Sequence, residues 1–194
     1  MSVHLIGRIY EDLSFLMLKH EIRDNSQIKS IDIAEKIKDS IDFFSILSEN
    51  KKLKIDCNIE QCIIKADPHH IELLIKNIID NAIKYTHPGG KIEITLKDCT
   101  LTISDTGVGI SEEKLSIIFD CFHRENSVEG GFGIGLDIVK TICKMYGYSI
   151  DVHCNLGKGS SFIVNFSVSN QKLENYKKND QVQCLLNFAF VKSC

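Results

Sequence analysis

The chain has 194 residues, of which 43% are hydrophobic and 25% are charged, a composition typical of one globular domain with room for an additional helix. Its 23 Lys and Arg residues against 26 Asp and Glu residues give a formal net charge of −3, which argues against nucleic acid as a partner. No apolar run approaches the roughly 20 residues of a bilayer span, and the N-terminus has no signal-peptide pattern. These features predict a soluble, cytoplasmic chain.

The eight cysteines contain no C-x-x-C pair and no Cys/His spacing that suits zinc. Free cysteine behaves as a small hydrophobic residue in protein interiors. We therefore predict that the cysteines are reduced and mostly buried thiols.

The first predicted element is a helix over residues 4–23, in which apolar residues recur at alternating spacings of three and four, as in a coiled-coil seam. A polar linker follows at residues 23–27. Ile31–Ile33 is compatible with a short edge strand, and Glu35–Asn50 has the apolar spacing of a helix.

Leu53–Asn58 and Ile63–Ala66 are short apolar segments that could pair with each other as strands. Asp67 and Pro68 provide a capping carboxylate and a first-turn proline, which predict the start of a helix that runs to about Tyr85. The sequence His87–Gly90 predicts its end.

Alternating apolar and polar residues in Lys91–Leu96 and Leu101–Ser104 are typical of half-buried strands. A second strong helix is predicted over Gly133–Tyr146, and two final strands, Ser149–Cys154 and Ser161–Val168, flank a glycine turn. Helices interleaved with antiparallel hairpins predict an α+β two-layer sandwich.

The first candidate binding motif lies on the helix that starts at Asp67. Asn77 and Asn81 are one helical turn apart, and Lys84 and Tyr85 extend the same face. Carboxamide oxygens can ligate Mg²⁺, and the lysine could lie near phosphate. A solvated polar face would have the same composition.

The second motif, Asp105-Thr106-Gly107-Val108-Gly109-Ile110, directly follows a predicted strand. A carboxylate at that point can accept a hydrogen bond from an exocyclic amine, and the glycines allow the backbone to turn closely against a flat ligand. A purely structural turn is the alternative.

Two further glycine-rich motifs occur at Gly130–Leu136, which opens a helix, and at Gly157–Phe162, between two strands. A helix N-terminus with glycines presents N–H groups and a positive dipole end to phosphate. The first string is neither a P-loop nor a dinucleotide fingerprint. Each motif alone would also suit an ordinary loop or hairpin.

In order and spacing, the motifs together resemble the ATP-binding catalytic domain of sensor histidine kinases, which belongs to the superfamily of gyrase, mismatch-repair ATPases and the ninety-kilodalton heat-shock chaperone. The resemblance covers about residues 31–168 and implies a two-layer α/β sandwich of the histidine kinase/gyrase type, here preceded by one long N-terminal helix. The segments similar to the family's N, G1, F, G2 and G3 boxes are Asn77–Tyr85, Asp105–Gly109, Phe119–Arg124, Gly131–Leu136 and Gly157–Phe162.

The resemblance implies a role for each motif residue toward ATP and Mg²⁺. Asn81 would ligate the metal, Asn77 would line the triphosphate, Lys84 and Tyr85 would contact phosphate and ribose, and Asp105 would bind the adenine amino group. The residues expected beside the base are Gly107, Gly109, Ile110 and Ser160. The residues expected to anchor or hinge a lid and to hold the phosphates are Phe119, Phe122, Arg124, Gly131, Gly133, Gly135 and Leu136.

Hydrolases of this superfamily resemble one another in placing a glutamate, the general base for water, one turn before the metal asparagine. Position 77 is an asparagine here, and a carboxamide does not accept a proton at neutral pH. The sequence therefore favours phosphotransfer over rapid hydrolysis.

His20-Glu21-Ile22-Arg23 is similar to the family's phosphoacceptor string. However, Asp24-Asn25-Ser26 follows in place of the expected proline, and His20 lies only 57 positions before Asn77 (77 − 20). We therefore reject His20 as the phosphoacceptor and interpret residues 1–27 as the second helix of a dimerisation hairpin. The phosphoacceptor histidine is then expected outside this chain.

The predicted organisation is a partial dimerisation helix at 1–27, an ATP-binding catalytic domain at 28–168 and a polar tail at 169–194. The expected function is transfer of the γ-phosphate of ATP to a histidine on the dimerisation domain of a kinase, upstream of a response regulator. Residues 4–20 could form a homodimer. The alternative is a non-catalytic interaction module that dimerises with or titrates a kinase or response regulator.

Overall fold

The structure is a computed structural model that describes residues 28–111, 118 and 135–167. Its helices are α1 (Ile33–Phe43), α2 (Ser45–Asn50), α3 (Pro68–Tyr85) and α4 (Gly135–Tyr146). Its strands are β1 (Lys29–Asp32), β2 (Lys54–Ile59), β3 (Ile63–Ala66), β4 (Lys91–Lys97), β5 (Thr100–Asp105), β6 (Ser149–Asn155) and β7 (Gly159–Asn165).

Five of the strands form one sheet in the order β2-β4-β5-β7-β6, and β1 and β3 form a separate antiparallel pair. Within the large sheet only β2 and β4 are parallel. Alternation along β4 buries Ile92, Ile94 and Leu96 while Glu93 and Lys97 are exposed, so one face of the sheet supplies the core. The α+β two-layer sandwich expected from the sequence is confirmed.

Helix α3 is the central helix of the sandwich and contacts α1, α4 and β5. It begins as predicted, because the Asp67 Oδ1 accepts a hydrogen bond from the His69 N–H at 2.8 Å and Pro68 occupies the first turn. It also ends at Tyr85 as predicted. Its fully buried side chains lie on one face and belong to the hydrophobic core.

The predicted pairing of β2 with β3 is wrong. Strand β2 pairs with β4, and β3 pairs with β1. The linker before β3 is held against the end of β1, where the Ile33 N–H donates to the Cys62 carbonyl and the Cys62 N–H donates to Asp32. Helix α3 can therefore serve as the crossover that a parallel pair requires.

The helix expected over Glu35–Asn50 is divided in two by Phe44. This residue leaves helical geometry, with a φ of −95° and a ψ of 7°, and its ring is buried. Helix α1 also begins earlier than predicted, because the Asp32 side chain caps it by accepting from the Ala34 N–H at 3.0 Å. Ile31 lies in β1, which belongs to the small sheet.

Several predictions fall outside the described residues. They are the helix over 4–23 with its possible homodimer seam, His20, the lid residues and the tail after residue 168. The predicted helix over Gly133–Tyr146 is described from Gly135 onward. No helix within the described ranges is long and apolar enough to cross a membrane.

The prediction that all cysteines are reduced is wrong for one pair. Cys62, before β3, and Cys99, in the β4–β5 turn, form a disulfide with their Cα atoms 5.3 Å apart. Of the free cysteines that the structure describes, Cys143 is buried, Cys154 is half-buried and Cys57 is exposed. Sequence spacing could not reveal the pair, because a separation of 37 residues indicates nothing about proximity.

The disulfide should stabilise the domain measurably. For a loop of this length, the loss of chain entropy in the unfolded state corresponds to about 3–4 kcal/mol. We therefore expect a reductant to lower the free energy of unfolding of the oxidised protein by about that amount in urea titrations. The double variant Cys62→Ser/Cys99→Ser should have the free energy of unfolding of the reduced wild type, with no change when reductant is added. The single variant Cys57→Ser should lose stability on reduction as the wild type does. Identical wild-type curves with and without reductant would contradict the cross-link.

Candidate functional site

The partly exposed face of α3 carries the first set of candidate residues. Asn77, Asn81 and Lys84 are half-buried and Tyr85 is exposed, as expected for positions within one 100°-wide stripe of a helix. The Lys84 ammonium forms an ion pair with the Asp80 carboxylate one turn earlier. Asp80 is absent from the predicted set, although its i, i+4 spacing to a lysine is a recognisable signal.

At its N-terminal part this face meets the start of α4. The Asn77 Nδ2 donates to the Leu73 carbonyl at 2.8 Å. Its Oδ1 faces Gly135, where an added Cβ would lie only 2.5 Å from that oxygen. Gly135 is the first described residue of α4. Asn77 and the first described turn of α4 are therefore in close contact.

At its C-terminal end the same helix meets the loop after β5. The Val108 N–H donates to the Tyr85 carbonyl at 3.1 Å. An added Cβ on Gly107 would lie 2.1 Å from that carbonyl oxygen. Only a residue without a side chain can therefore let this loop approach the helix end so closely.

Asp105, the last residue of β5, points into this region and is only 8% exposed. Its Oδ1 accepts a hydrogen bond from the Gly107 N–H at 2.8 Å, and its carboxylate also accepts from the Ser160 N–H. Burial raises the pKa of Asp105 above its ordinary value of 3.8, although the two N–H donors act in the opposite direction. The carboxylate is thus a buried acceptor fixed by backbone donors, with room in its hydrogen-bonding capacity for another donor.

The turn between β6 and β7 packs directly on this loop. The Gly157 N–H donates to the Val108 carbonyl at 2.7 Å. Added Cβ atoms on Gly109 and Gly159 would lie 2.0 Å from the Asn155 carbonyl oxygen and 1.9 Å from the Asp105 carbonyl oxygen. Close backbone contacts therefore bring the second and fourth motifs together around Asp105, and they place the N–H of Ser160, itself buried, at its carboxylate.

The described part of the predicted set thus divides into two ends joined by α3. Ile110 and Leu136 are half-buried and pack against the hydrophobic core. Phe119, Phe122, Arg124, Gly131 and Gly133 lie outside the described residues. Sequence reasoning missed Lys51, whose ammonium contacts the end of α3, because no local pattern connects residue 51 with a helix more than thirty positions later.

A metal at this site would have few protein ligands. Within the ranges that the structure describes, no group of three or more His, Cys, Asp or Glu side chains could hold an ion. Mg²⁺ commonly binds through one or two protein oxygens together with water and substrate phosphates. One asparagine amide oxygen, such as that of Asn81, is a protein ligand of this kind.

Comparisons with known proteins identify the family. The family described as histidine kinase-, DNA gyrase B- and HSP90-like ATPase matches residues 66–170, more than half of the chain. The signal transduction histidine-protein kinase ArlS of Staphylococcus aureus (strain USA300) is 30% identical over 177 residues, which covers 86% of this chain and 39% of ArlS. The chain therefore spans about two fifths of the length of this curated relative.

Two solved structures have the same fold. The Acinetobacter baumannii histidine kinase AdeS has a TM-score of 0.67 at 25% identity, over 87% of this chain and 81% of that one. Full-length ShkA in complex with AMPPNP has a TM-score of 0.70 at 24% identity, over 83% of this chain and 35% of that one.

The fold and its motifs define an ATPase-type α/β sandwich with candidate site residues along one helix. The chain belongs to the histidine kinase-, DNA gyrase B- and HSP90-like ATPase family, and it is an ATP-binding catalytic domain of the histidine kinase type.

The close backbone contacts at Asp105 predict unequal effects of alanine at two glycines of the β6–β7 turn. Both have positive φ, +77° at Gly157 and +105° at Gly159, but only Gly159 has backbone atoms within 4 Å of its added Cβ. We expect Gly157→Ala to lower the free energy of unfolding by roughly 1 kcal/mol, from backbone strain. Gly159→Ala should cost about 1–3 kcal/mol more, from overpacking. Equal losses in urea titrations of the two variants would contradict this packing.

Proposed function

We propose that residues 28–168 bind ATP with Mg²⁺ and transfer its γ-phosphate to a histidine on the dimerisation domain of a kinase. The observation that carries this proposal is the contact of α3 with both ends of the site. Tyr85 contacts the loop after Asp105, and Asn77 contacts Gly135 in α4. Tyr85 lies eight positions after Asn77, a rise of about 12 Å along the helix, which suits a ligand with a flat base at one end and phosphates at the other.

Asp105 supports recognition of an aminopurine at the first end. Its carboxylate oxygens only accept hydrogen bonds when ionised, so a ligand group next to it must be a donor such as the adenine amine. Gly107 and Gly109 allow the loop to pack closely on the Tyr85 and Asn155 carbonyls, which holds Asp105 in position. A base that presents a carbonyl at this position would face the carboxylate with another acceptor and should be rejected.

The phosphate end combines three features of different character. The α4 N-terminus supplies N–H groups and the positive end of a helix dipole. Lys84 lies next to Tyr85, but its ammonium pairs with Asp80, one turn nearer to Asn77, so the cation is on the side of the phosphates. Asn81 supplies an amide oxygen to Mg²⁺, whose charge offsets that of the phosphates. Positioning and electrostatic stabilisation by these groups would account for most of the catalysis of phosphoryl transfer.

Asn77 supports transfer in preference to hydrolysis. Its Nδ2 donates to the Leu73 carbonyl, so its oxygen is the atom that faces the α4 start, and an amide oxygen does not remove a proton from water at neutral pH. Water would therefore lack a general base on this helix position. The γ-phosphate of the bound ATP therefore remains available for transfer to an acceptor side chain, which is itself the nucleophile.

The proposal retains the predicted organisation around this domain. Residues 1–27 act as the second helix of a dimerisation hairpin, residues 4–20 supply a homodimer seam, and residues 169–194 form a polar tail. The acceptor histidine is a residue of a dimerisation domain and is not His20. A response regulator receives the phosphate afterwards. ATP as substrate places the domain in the cytoplasm.

Nucleotide binding by the full chain tests the site. In calorimetric titrations of ATP with and without Mg²⁺, we expect Asp105→Asn to weaken binding at least about tenfold, because it presents an amide donor to the adenine amine. Asn81→Ala should remove the Mg²⁺ dependence while retaining part of the affinity. The exposed residues Asp151 and Asn58 provide matched control variants, Asp151→Asn and Asn58→Ala, which should bind as the wild type does.

The stability of Asp105→Asn separates lost binding from lost folding. Because the folded-state pKa of Asp105 is raised, its ionised form costs stability above that pKa and the cost disappears below it. The asparagine variant is relieved of this cost but offers only one oxygen to the two N–H donors, so it should remain folded at pH 7 and lose stability relative to the wild type as the pH falls through the raised pKa. A wild type that binds no ATP would contradict the proposal and favour the non-catalytic interaction module.

Phosphotransfer is tested with γ-labelled ATP and a separately produced dimerisation domain from a relative such as ArlS. We expect label on the added domain, no loss of transfer in His20→Gln, and slow hydrolysis in the absence of the acceptor. Rapid hydrolysis that Asn81→Ala abolishes would contradict the role given to Asn77. Binding of ATP without transfer to any acceptor domain would favour the interaction module.

A further inference from the structure

The C-terminal end of α3 has an unusual set of hydrogen-bond donors. The last four carbonyls of an α-helix have no partner within the helix. In α3 the first of these, the Ala82 carbonyl, accepts from both the N–H and the Oγ1 of Thr86, at 3.1 and 2.6 Å. The next two, of Ile83 and Lys84, must find donors elsewhere in the protein.

Lys51 supplies those donors from the segment that follows α2. Its Nζ donates to the Ile83 carbonyl at 2.9 Å, to the Lys84 carbonyl at 2.7 Å and to the Thr86 carbonyl at 3.3 Å. An ammonium has three N–H donors, so these three contacts use its whole capacity. The backbone carbonyl of Lys51 also accepts from the Gly89 N–H at 2.9 Å, which ties the same residue to the turn after the helix.

The charge of this side chain suits its position. A cation at a helix C-terminus is stabilised by the negative end of the helix dipole. Hydrogen bonds from a charged donor are also stronger than those between neutral groups. Lys51 therefore holds the last turn of α3 more firmly than a neutral side chain could.

The fourth carbonyl of the last turn connects this cap to the site. It belongs to Tyr85, and its donor is the Val108 N–H. The Ile83 and Lys84 carbonyls that Lys51 binds are in the same helical turn, directly before Tyr85. The position of the turn that Lys51 fixes thus sets the position of the acceptor that holds the loop after Asp105.

We propose that Lys51 is a positioning residue of the nucleotide site, which acts through the last turn of α3 and the Val108 hydrogen bond on the loop that carries Asp105. This inference rests on the proposed function for its consequence, weaker ATP binding, but its structural part is independent of it. Lys51 itself need not contact the nucleotide.

Two measurements on the full chain test this link. The first is amide hydrogen exchange at Val108 and, for reference, at Ile103 in the central strand β5. The second is calorimetric titration of Mg-ATP. The variants are Lys51→Met, which removes the donors while keeping most of the side-chain length, Lys51→Arg, which restores charge and donors, and Lys52→Met, at the neighbouring exposed lysine.

Lys51→Met should raise the exchange rate at Val108 selectively and weaken ATP binding roughly tenfold. Lys51→Arg should recover part of both, and Lys52→Met should match the wild type. If Lys51→Met does not fold, the same measurements are made on Lys51→Gln, whose shorter side chain ends in a neutral N–H donor.

Unchanged Val108 exchange in a folded Lys51 variant, or an equal rise at Val108 and Ile103, would overturn the proposal, since the effect would then be absent or global. Selective exchange at Val108 with unchanged ATP affinity would overturn its functional part. If the wild type binds no ATP, the proposed function fails on its own, and Val108 exchange still decides whether Lys51 positions the loop.

Discussion

The contact between the end of α3 and the loop after β5 is the constraint on which the site depends. The Tyr85 carbonyl can accept from the Val108 N–H only because Gly107 has no side chain in the space between them. The same loop holds the Asp105 carboxylate through the Gly107 N–H. A displacement of the helix end would therefore move the acceptor that the proposed function assigns to adenine.

Burial of the adjacent face of α3 makes the helix a firm support for this contact. Ile71, Leu74, Ile75 and Ile78 have no exposed surface, and truncation of one such side chain in a core typically costs about 2–5 kcal/mol. The packed face and the candidate binding face belong to the same rigid helix. The core thus fixes the spacing between Asn77, next to Gly135, and Tyr85, near Asp105.

Local chemistry allowed the sequence to predict α3 and the motifs well. A capping Asp67 followed by Pro68 marks a helix start without reference to any other part of the chain. Alternating residues likewise identified β4 and β5. The motif residues were recognised as a set through their order, and the structure places Asp105, Gly107 and Gly109 in one loop and Asn77 opposite Gly135.

The remaining features depend on residues that are far apart in the sequence. Strand β2 has the composition to pair with β3, but the bonds that hold Cys62 beside Asp32 and Ile33 give β3 a different partner. The Cys62–Cys99 disulfide and the contact of Lys51 with α3 also join residues that are far apart in the sequence. A lysine after a short helix is ordinary in sequence, and only the fold shows which carbonyls it reaches.

Asp105 shows how the site differs from the rest of the core. An ionised carboxylate in a largely buried position is disfavoured, as its raised pKa indicates. Two backbone N–H groups reduce this cost without cancelling it. A ligand amine that donates to the carboxylate would provide a further partner and stabilise the charged form. Under the proposed function the nucleotide would supply that partner, and a substitution that removes the charge, such as Asp105→Asn, would remove the contact with adenine as well.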